Sequence, residues 1–337
     1  MKKKNVFGKK FWGICIALVL VMACVWTAVM AYPNTERAWL DEGPEIEDYD
    51  YSFAVVGDTQ VVNIKYHDKL VNIYDYICEN VIPKNIKYVF SVGDITDTNK
   101  DREWSDAYNQ IHRLDALVPY NVLRGNHDGS IQINRYFPYS DFANMCGGSY
   151  DGKIENTWQT LTVGELDYLI VSLDYGPSDD VLAWASDVIE QHPYHNVIVA
   201  THGYLYSDGT LLDQSDGESS APATSGGYNN GDHIWDKLIS KHSNIVLVLC
   251  GHIGLDDIMV VQTEGEHGNM VTQMMVNGQD VDNQVDGGAG LVAMLYFSEG
   301  GSKVQMEYYS TIRNQWLKAS EHEFVELNVI ERQSVIE

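Results

Sequence analysis

Cysteine is scarce in this 337-residue chain, and none of the five lies in a C-x-x-C pair. Cys15 and Cys24 fall in an apolar N-terminal run, while Cys78, Cys146 and Cys250 are scattered singly. That excludes a disulfide framework and a zinc knuckle. Cys78 and Cys250 sit in apolar helix and strand patterns, where a thiol acts as a small hydrophobe. Basic residues are also few, 22 Lys+Arg against 48 Asp+Glu. Five of the lysines precede residue 11, so the remainder carries 17 against 48, a balance of −31. A field of that sign excludes nucleic acid and anionic lipid as partners held by general charge, and it suits cations. The chain shows no repeat of fixed period, no second domain boundary and no motif that predicts a protein partner. Its apolar fraction, 45%, is that of a folded protein with room for a sizeable core.

Charge is absent altogether from residues 11–31, FWGICIALVLVMACVWTAVMA, which follow the basic stretch MKKKNVFGKK. Twenty-one such residues can span a bilayer core of roughly 30 Å. The expectation is an N-terminal membrane anchor, with the body exported to the extracytoplasmic side. The alternative is a signal peptide cleaved near Ala31, which would leave a secreted protein. Residues 32–50, acidic and containing Pro33, Gly43 and Pro44, read as a solvated linker, and residues 51–330 as a single domain.

From residue 51 a pattern recurs in which a short apolar run leads into a cluster of Gly, Asp, Asn or His. Phe53–Val56 precedes Gly57-Asp58, Tyr88–Val92 precedes Gly93-Asp94, and Tyr120–Leu123 precedes Gly125-Asn126-His127-Asp128. Val197–Ala200 precedes Thr201-His202, and Ile245–Leu249 precedes Cys250-Gly251-His252. Tyr168–Leu173 is one more strand. Helical spacing appears at Leu70, Ile73, Ile77 and Val81, and again at Trp104, Ala107, Ile111 and Leu114. Asp232 is placed to cap a helix carrying Trp235 and Leu238. Strands alternating with helices predict an α/β sheet whose ligands bind beyond the carboxyl ends of the strands. After residue 256 the strand-like runs, beginning with Ile258–Gln262 and Met270–Val276, predict a second, mostly antiparallel sheet. Residues 207–232 read either as a lid beside His202 or as a surface insertion.

Placed at strand exits, these clusters converge on one rim. Together they offer what a pair of divalent cations requires: carboxylates, neutral oxygen and nitrogen donors, and an acid nearby. GDTQ holds Asp58 and Gln60, and GDITD holds Asp94 and Asp97. GNHD holds Asn126, His127 and Asp128, while THGY and GHIG hold His202 and His252. Asp97 is expected to support the ligands or cap a helix. Arg124 reads either as a phosphate contact or as one half of a salt bridge. Tyr204 and Tyr206 read as packing residues.

In this order the motifs resemble the calcineurin-like metallophosphoesterase family, over about Ser52 to His252 and more loosely to Tyr309. The stretch from Glu103-Trp104 to Arg124-Gly125-Asn126-His127-Asp128 is similar to the branch whose first motif reads D-T-Q. The resemblance implies a four-layer α/β/β/α sandwich of two mixed sheets flanked by helices. It also implies two divalent metal ions (Mn, Fe, Zn or Mg) and a phosphorylated substrate, a phosphate mono- or diester cleaved by a metal-bound hydroxide. By motif position Asp58 and Gln60 would bind the first metal, and Asp94 would bridge the two. Asn126, His202 and His252 would bind the second. His127 would assist the leaving group, with Asp128 orienting it. Two positions depart from the family pattern. Gln60 replaces the histidine of D-x-H, and Gly254 stands where G-H-x-H has its second histidine. Both losses fall on the first metal, for which Asp256 or Asp257 is a candidate substitute. The same departures support a rival reading, a non-catalytic binding module with a degenerate first site.

Overall fold

The strongest strand formers in the chain are Asn196–Ala200 (β7) and Ile245–Cys250 (β8), NVIVA and IVLVLC, and every residue of both is buried. Aliphatic runs with no polar face need apolar cover on both sides, which places them at the centre of a sheet. The structure, a computed structural model, describes residues 39–41, 48–215, 228–255, 258–281, 287–317 and 325–332. The expected anchor at 11–31, Asp256 and Asp257 lie outside these residues. Among the described residues no helix is long and apolar enough to cross a membrane.

β7 and β8 run parallel in a seven-stranded sheet together with Gly148–Ser149 (β4), Thr157–Val163 (β5), Leu166–Ser172 (β6), Met259–Glu264 (β9) and Met270–Met275 (β10). Its order is β4-β5-β6-β7-β8-β10-β9. The first sheet has the order β1-β13-β12-β11-β2-β3, with β14 pairing β12. Its strands are Trp39–Leu40 (β1), Tyr51–Val56 (β2), Ile86–Ser91 (β3), Leu291–Ser298 (β11), Lys303–Ser310 (β12), Gln315–Leu317 (β13) and Val325–Glu326 (β14). Both sheets are mixed: β2 and β3 are parallel and β11 is antiparallel to β2, while β10 is parallel to β8 and antiparallel to β9.

The sheets pack face to face through Phe53, Phe90, Leu295 and Phe297 on one side and Tyr168, Ile198, Leu247 and Leu249 on the other. Helices cover the outer faces. His67–Asn80 (α2) lays Leu70, Ile73, Tyr74 and Ile77 on the first sheet, the i, i+3, i+4, i+7 stripe of an amphipathic helix. Asp101–Ile111 (α3) adds the fully buried Trp104. On the second sheet Asp179–Glu190 (α6) packs Leu182, Ala185 and Ile189. Its N-terminus is capped by Ser178, whose Oγ accepts the Val181 N–H at 3.3 Å. Gly231–Lys237 (α7) packs beside it. The result is the expected four-layer α/β/β/α sandwich.

Several expectations are corrected. The strands after residue 256 do not form a sheet of their own: β9 and β10 extend the second sheet beyond β8, and β11 and β12 extend the first beyond β2. Met270–Met275 and Leu291–Ser298 are almost wholly buried on both faces, so each is drawn inside a covered sheet. Tyr120–Leu123 makes one parallel bridge, Val89 to Tyr120, rather than a strand. Beyond it the Asn121 side chain takes both backbone groups of Ser91, at 2.8 and 3.1 Å, in place of a further rung. The α7 helix is entered from Asn230, with Asp232 in its first turn. Trp39 and Leu40, read as linker, pair with Leu317 and Trp316 at the edge of the first sheet.

Candidate metal centre

Both sheets send the carboxyl ends of parallel strands to one rim. β2 delivers Asp58 and β3 delivers Asp94, while β7 delivers His202 and β8 delivers His252. The exits are tied in pairs by their backbones: the Asp58 N–H donates to Gly93 O at 3.1 Å, and the Gly251 N–H to His202 O at 2.9 Å. Asp58, Asp94 and His252 all have left-handed backbones, with φ of 52°, 51° and 76°. Each such residue costs on the order of 1 kcal/mol or more, strain that clusters at functional sites.

The site is crowded enough to dictate a glycine. A Cβ on Gly125 would stand 2.1 Å from Asp94 Oδ1. Asp94 is the hub. Its Oδ1 accepts the His127 N–H at 2.9 Å, and its Oδ2 lies 3.2 Å from Gln60 Nε2 and 3.3 Å from His202 Nε2. His202 Nδ1 donates to Val92 O at 2.7 Å, and Nε2 meets Asn126 Oδ1 at 2.9 Å. The Val92 contact fixes the tautomer and aims Nε2 at the ligand position. Asp94, His202 and His252 each place a donor atom within 4.8 Å of the others, close enough to share one ion. Tyr175, which sequence reasoning missed, lies against both imidazoles with ring centroids 5.6 and 5.3 Å away. Its only signal in the sequence was its place just after a strand exit.

On the other side of Asp94, the Asp58 carboxylate accepts the His252 N–H at 3.1 Å. Gln60 opens a short helix, Gln60–Lys65 (α1), and is 3% exposed. Its Nε2 also reaches Gln279 Oε1 at 3.2 Å, while its own Oε1 is buried with no hydrogen-bond partner.

His127 is exposed, with Nδ1 against the Asp97 carbonyl at 2.9 Å. Asp128 does not orient it, contrary to expectation. The Asp128 carboxylate is taken up by the N–H groups of Ile95, Thr96 and Gly125 at 2.8–3.0 Å and by the Thr96 hydroxyl. It ties the GNHD loop to the GDITD loop. Asp97 supports His127 through its carbonyl, held in turn by Glu103, a second residue missed from sequence. The buried Glu103 carboxylate accepts the N–H groups of Asp97 and Thr98 at 2.8 Å, and the Thr98 hydroxyl. Arg124 makes the salt bridge: it grips Asp174 through two hydrogen bonds of 2.6 and 2.9 Å and gives a third to Asp128 O. Tyr204 packs in the core and donates to Gln273 at 2.7 Å.

Electrostatics separates the parts of this cluster. Burial raises the Asp58 pKa well above the carboxylate range and Asp94 raises it further, against relief from His202. Asp94 stays low because His202 and His127 outweigh its burial. Burial pulls His202 down, but Asp94 and Asp58 carry it up to about 9. A proton on His202 thus answers carboxylates that a divalent cation would neutralise better. Buried negative charge, the orphaned Gln60 Oε1 and the His202 imidazole with its fixed tautomer together fit divalent metal ions.

A family profile described as calcineurin-like phosphoesterase matches residues 51–255. Over 284 residues the chain is 29% identical to the uncharacterized protein YvnB of Bacillus subtilis, covering 80% of this chain and 20% of that protein. Over 182 residues it is 24% identical to a probable cyclic nucleotide phosphodiesterase of Colwellia psychrerythraea, covering 52% and 58%. The chain therefore spans a fifth of one relative's length and a little over half of the other's. Among solved structures it is similar to GAP50, the anchor in the inner membrane complex of Plasmodium. The TM-score is 0.51 at 12% identity, covering 84% of this chain and 90% of that one, a likeness of fold alone.

Proposed function

This chain belongs to the calcineurin-like phosphoesterase family, and on that premise we propose that it is a metal-dependent hydrolase of phosphate esters. The observation that carries the proposal is the position of Asp94 between Asp58 and Gln60 on one side and His202, His252 and Asn126 on the other. Asp58, Gln60 and Asp94 would hold one cation, and Asp94, Asn126, His202 and His252 a second. Two divalent ions supply charge neutralisation at a phosphoryl group and a water of lowered pKa. The Asp97 carbonyl holds the His127 ring by Nδ1 at the open edge of the site, where Nε2 would give a proton to the leaving oxygen. The resemblance to a probable phosphodiesterase favours diesters as substrates.

The test is to strip the protein with chelator and restore Mn²⁺, Fe²⁺, Zn²⁺ or Mg²⁺ singly and in pairs. Each form is then assayed on aryl phosphate mono- and diesters. Metal-restored turnover, larger on diesters, is expected; no turnover with any ion overturns the proposal. The proposal extends to location. Residues 11–31 would hold the body on the outer side of a membrane, and protease treatment of intact cells would digest a body so placed.

A further inference from the structure

Both departures from the family pattern, Gln60 and Gly254, meet the chain again at the exit of β10. A Cβ built on Gly254 would stand 1.8 Å from Asp280 Oδ2, 2.7 Å from its Cγ and 3.5 Å from its Cβ. The Asp280 carboxylate therefore fills the volume from which a histidine at 254 would have to grow. The neighbouring Gln279 places Oε1 3.2 Å from Gln60 Nε2, the amide that stands in for the other lost histidine. Residues 279 and 280 reach this rim because β10 runs parallel to β8 and ends beside it. The Leu255 N–H donates to Asn277 O at 3.1 Å, locking the two exits together.

Independently, the Gln60 Oε1 atom is buried without a hydrogen-bond partner. Half a turn of that amide would bring its oxygen beside Asp94 Oδ2 and Gln279 Oε1. Such a cluster of oxygens is stable only around a cation, and amide orientation follows the partners present.

We infer that Asp280 replaces the missing histidine as a ligand of the first metal, making that site an oxygen-only site of Asp58, Gln60, Asp94 and Asp280. Two neutral imidazoles have given way to an amide oxygen and a carboxylate. The exchange adds a negative charge and removes every nitrogen donor, so it favours a hard cation such as Mn²⁺ or Mg²⁺ over Zn²⁺. The second site, with His202 and His252, keeps its nitrogen donors. The centre is thereby built for two unlike ions.

The inference rests on the two-cation reading above, but its test reads binding rather than turnover. Equilibrium dialysis of the chelator-stripped full chain with Mn²⁺, followed by metal analysis and Mn²⁺ electron paramagnetic resonance, is expected to show two bound ions. Asp280→Ala and the near-isosteric Asp280→Asn should each bind one, weakening the lost ion at least about tenfold. The ion retained at the His202 side reports that the variants are folded. His252→Ala should lose the other ion instead. The double variant Gly254→His with Asp280→Ala should regain two ions and shift the first site toward Zn²⁺. Two Mn²⁺ bound with unchanged affinity in both Asp280 variants would overturn the inference. So would a parent protein that binds one ion whose affinity ignores Asp280. Metal binding as expected without turnover on any ester would overturn the proposed activity and leave the role of Asp280 standing.

Discussion

The two halves of the rim differ in what they offer a cation. The half built by the first sheet contributes oxygen, from Asp58, Gln60 and Asp94. The half built by β7 and β8 of the second sheet contributes imidazoles, from His202 and His252. The oxygen half is buried and negative, and burial drives Asp58 toward its neutral form. The imidazole half carries the compensating charge, since His202 is held up to about 9 by its carboxylate neighbours. Each half is poorly satisfied alone, and Asp94 is the residue that touches both.

The comparison breaks most completely at Asp94. Asp94→Asn should remove the charge shared by both halves and lower kcat/KM by about a thousandfold or more, since a bridged cation pair supplies several kcal/mol. Metal analysis of the same variant should show both ions weakened. A loss confined to one ion would mean that the halves are independent. His127→Ala touches neither half. It should lower kcat by about a hundredfold with metal content unchanged, and an emptied site would show His127 to be a ligand instead.

The charge difference between the halves is sharpened by pH. His202 and Asp58 both have folded pKa values above their ordinary ones, so the stability they contribute is present below the unfolded pKa and lost as pH rises through the folded value. Through His202 the chelated protein should lose roughly 3 kcal/mol between pH 6.5 and 9. The melting temperature should fall over that window. Divalent metal should flatten the fall, because a cation takes over from the proton; a fall that persists with metal bound would locate the titration elsewhere. The smallest effect is expected outside the comparison. Arg124→Lys forfeits the two-point grip on Asp174 and should cost about 2 kcal/mol of stability. Its KM should stay that of the parent, and a raised KM would show that Arg124 meets the substrate.

Much of this centre was legible because its parts are local. A β-branched run followed by Gly-Asp or Gly-His is a strand and its exit, whatever lies elsewhere. The parts that were misread are the non-local ones. Asp128 adjoins His127 in the sequence, yet its carboxylate turns to Ile95 and Thr96, more than thirty positions earlier. Glu103 stands beside the helical stripe that Trp104 begins, and its side chain gathers the loop that holds Asp97. The β10 run was recognised as a strand, but no pattern within it says that β8 is its neighbour.

The sequence by itself determined which residues stand at the ends of strands, and hence the candidate donors Asp58, Asp94, His202 and His252, because side-chain period and turn chemistry act over a few residues. Only the tertiary structure decided which strand lies beside which. That choice depends on how the apolar faces of two whole sheets cover one another, and it carried Gln279 to Gln60 and Asp280 into the volume left open at Gly254.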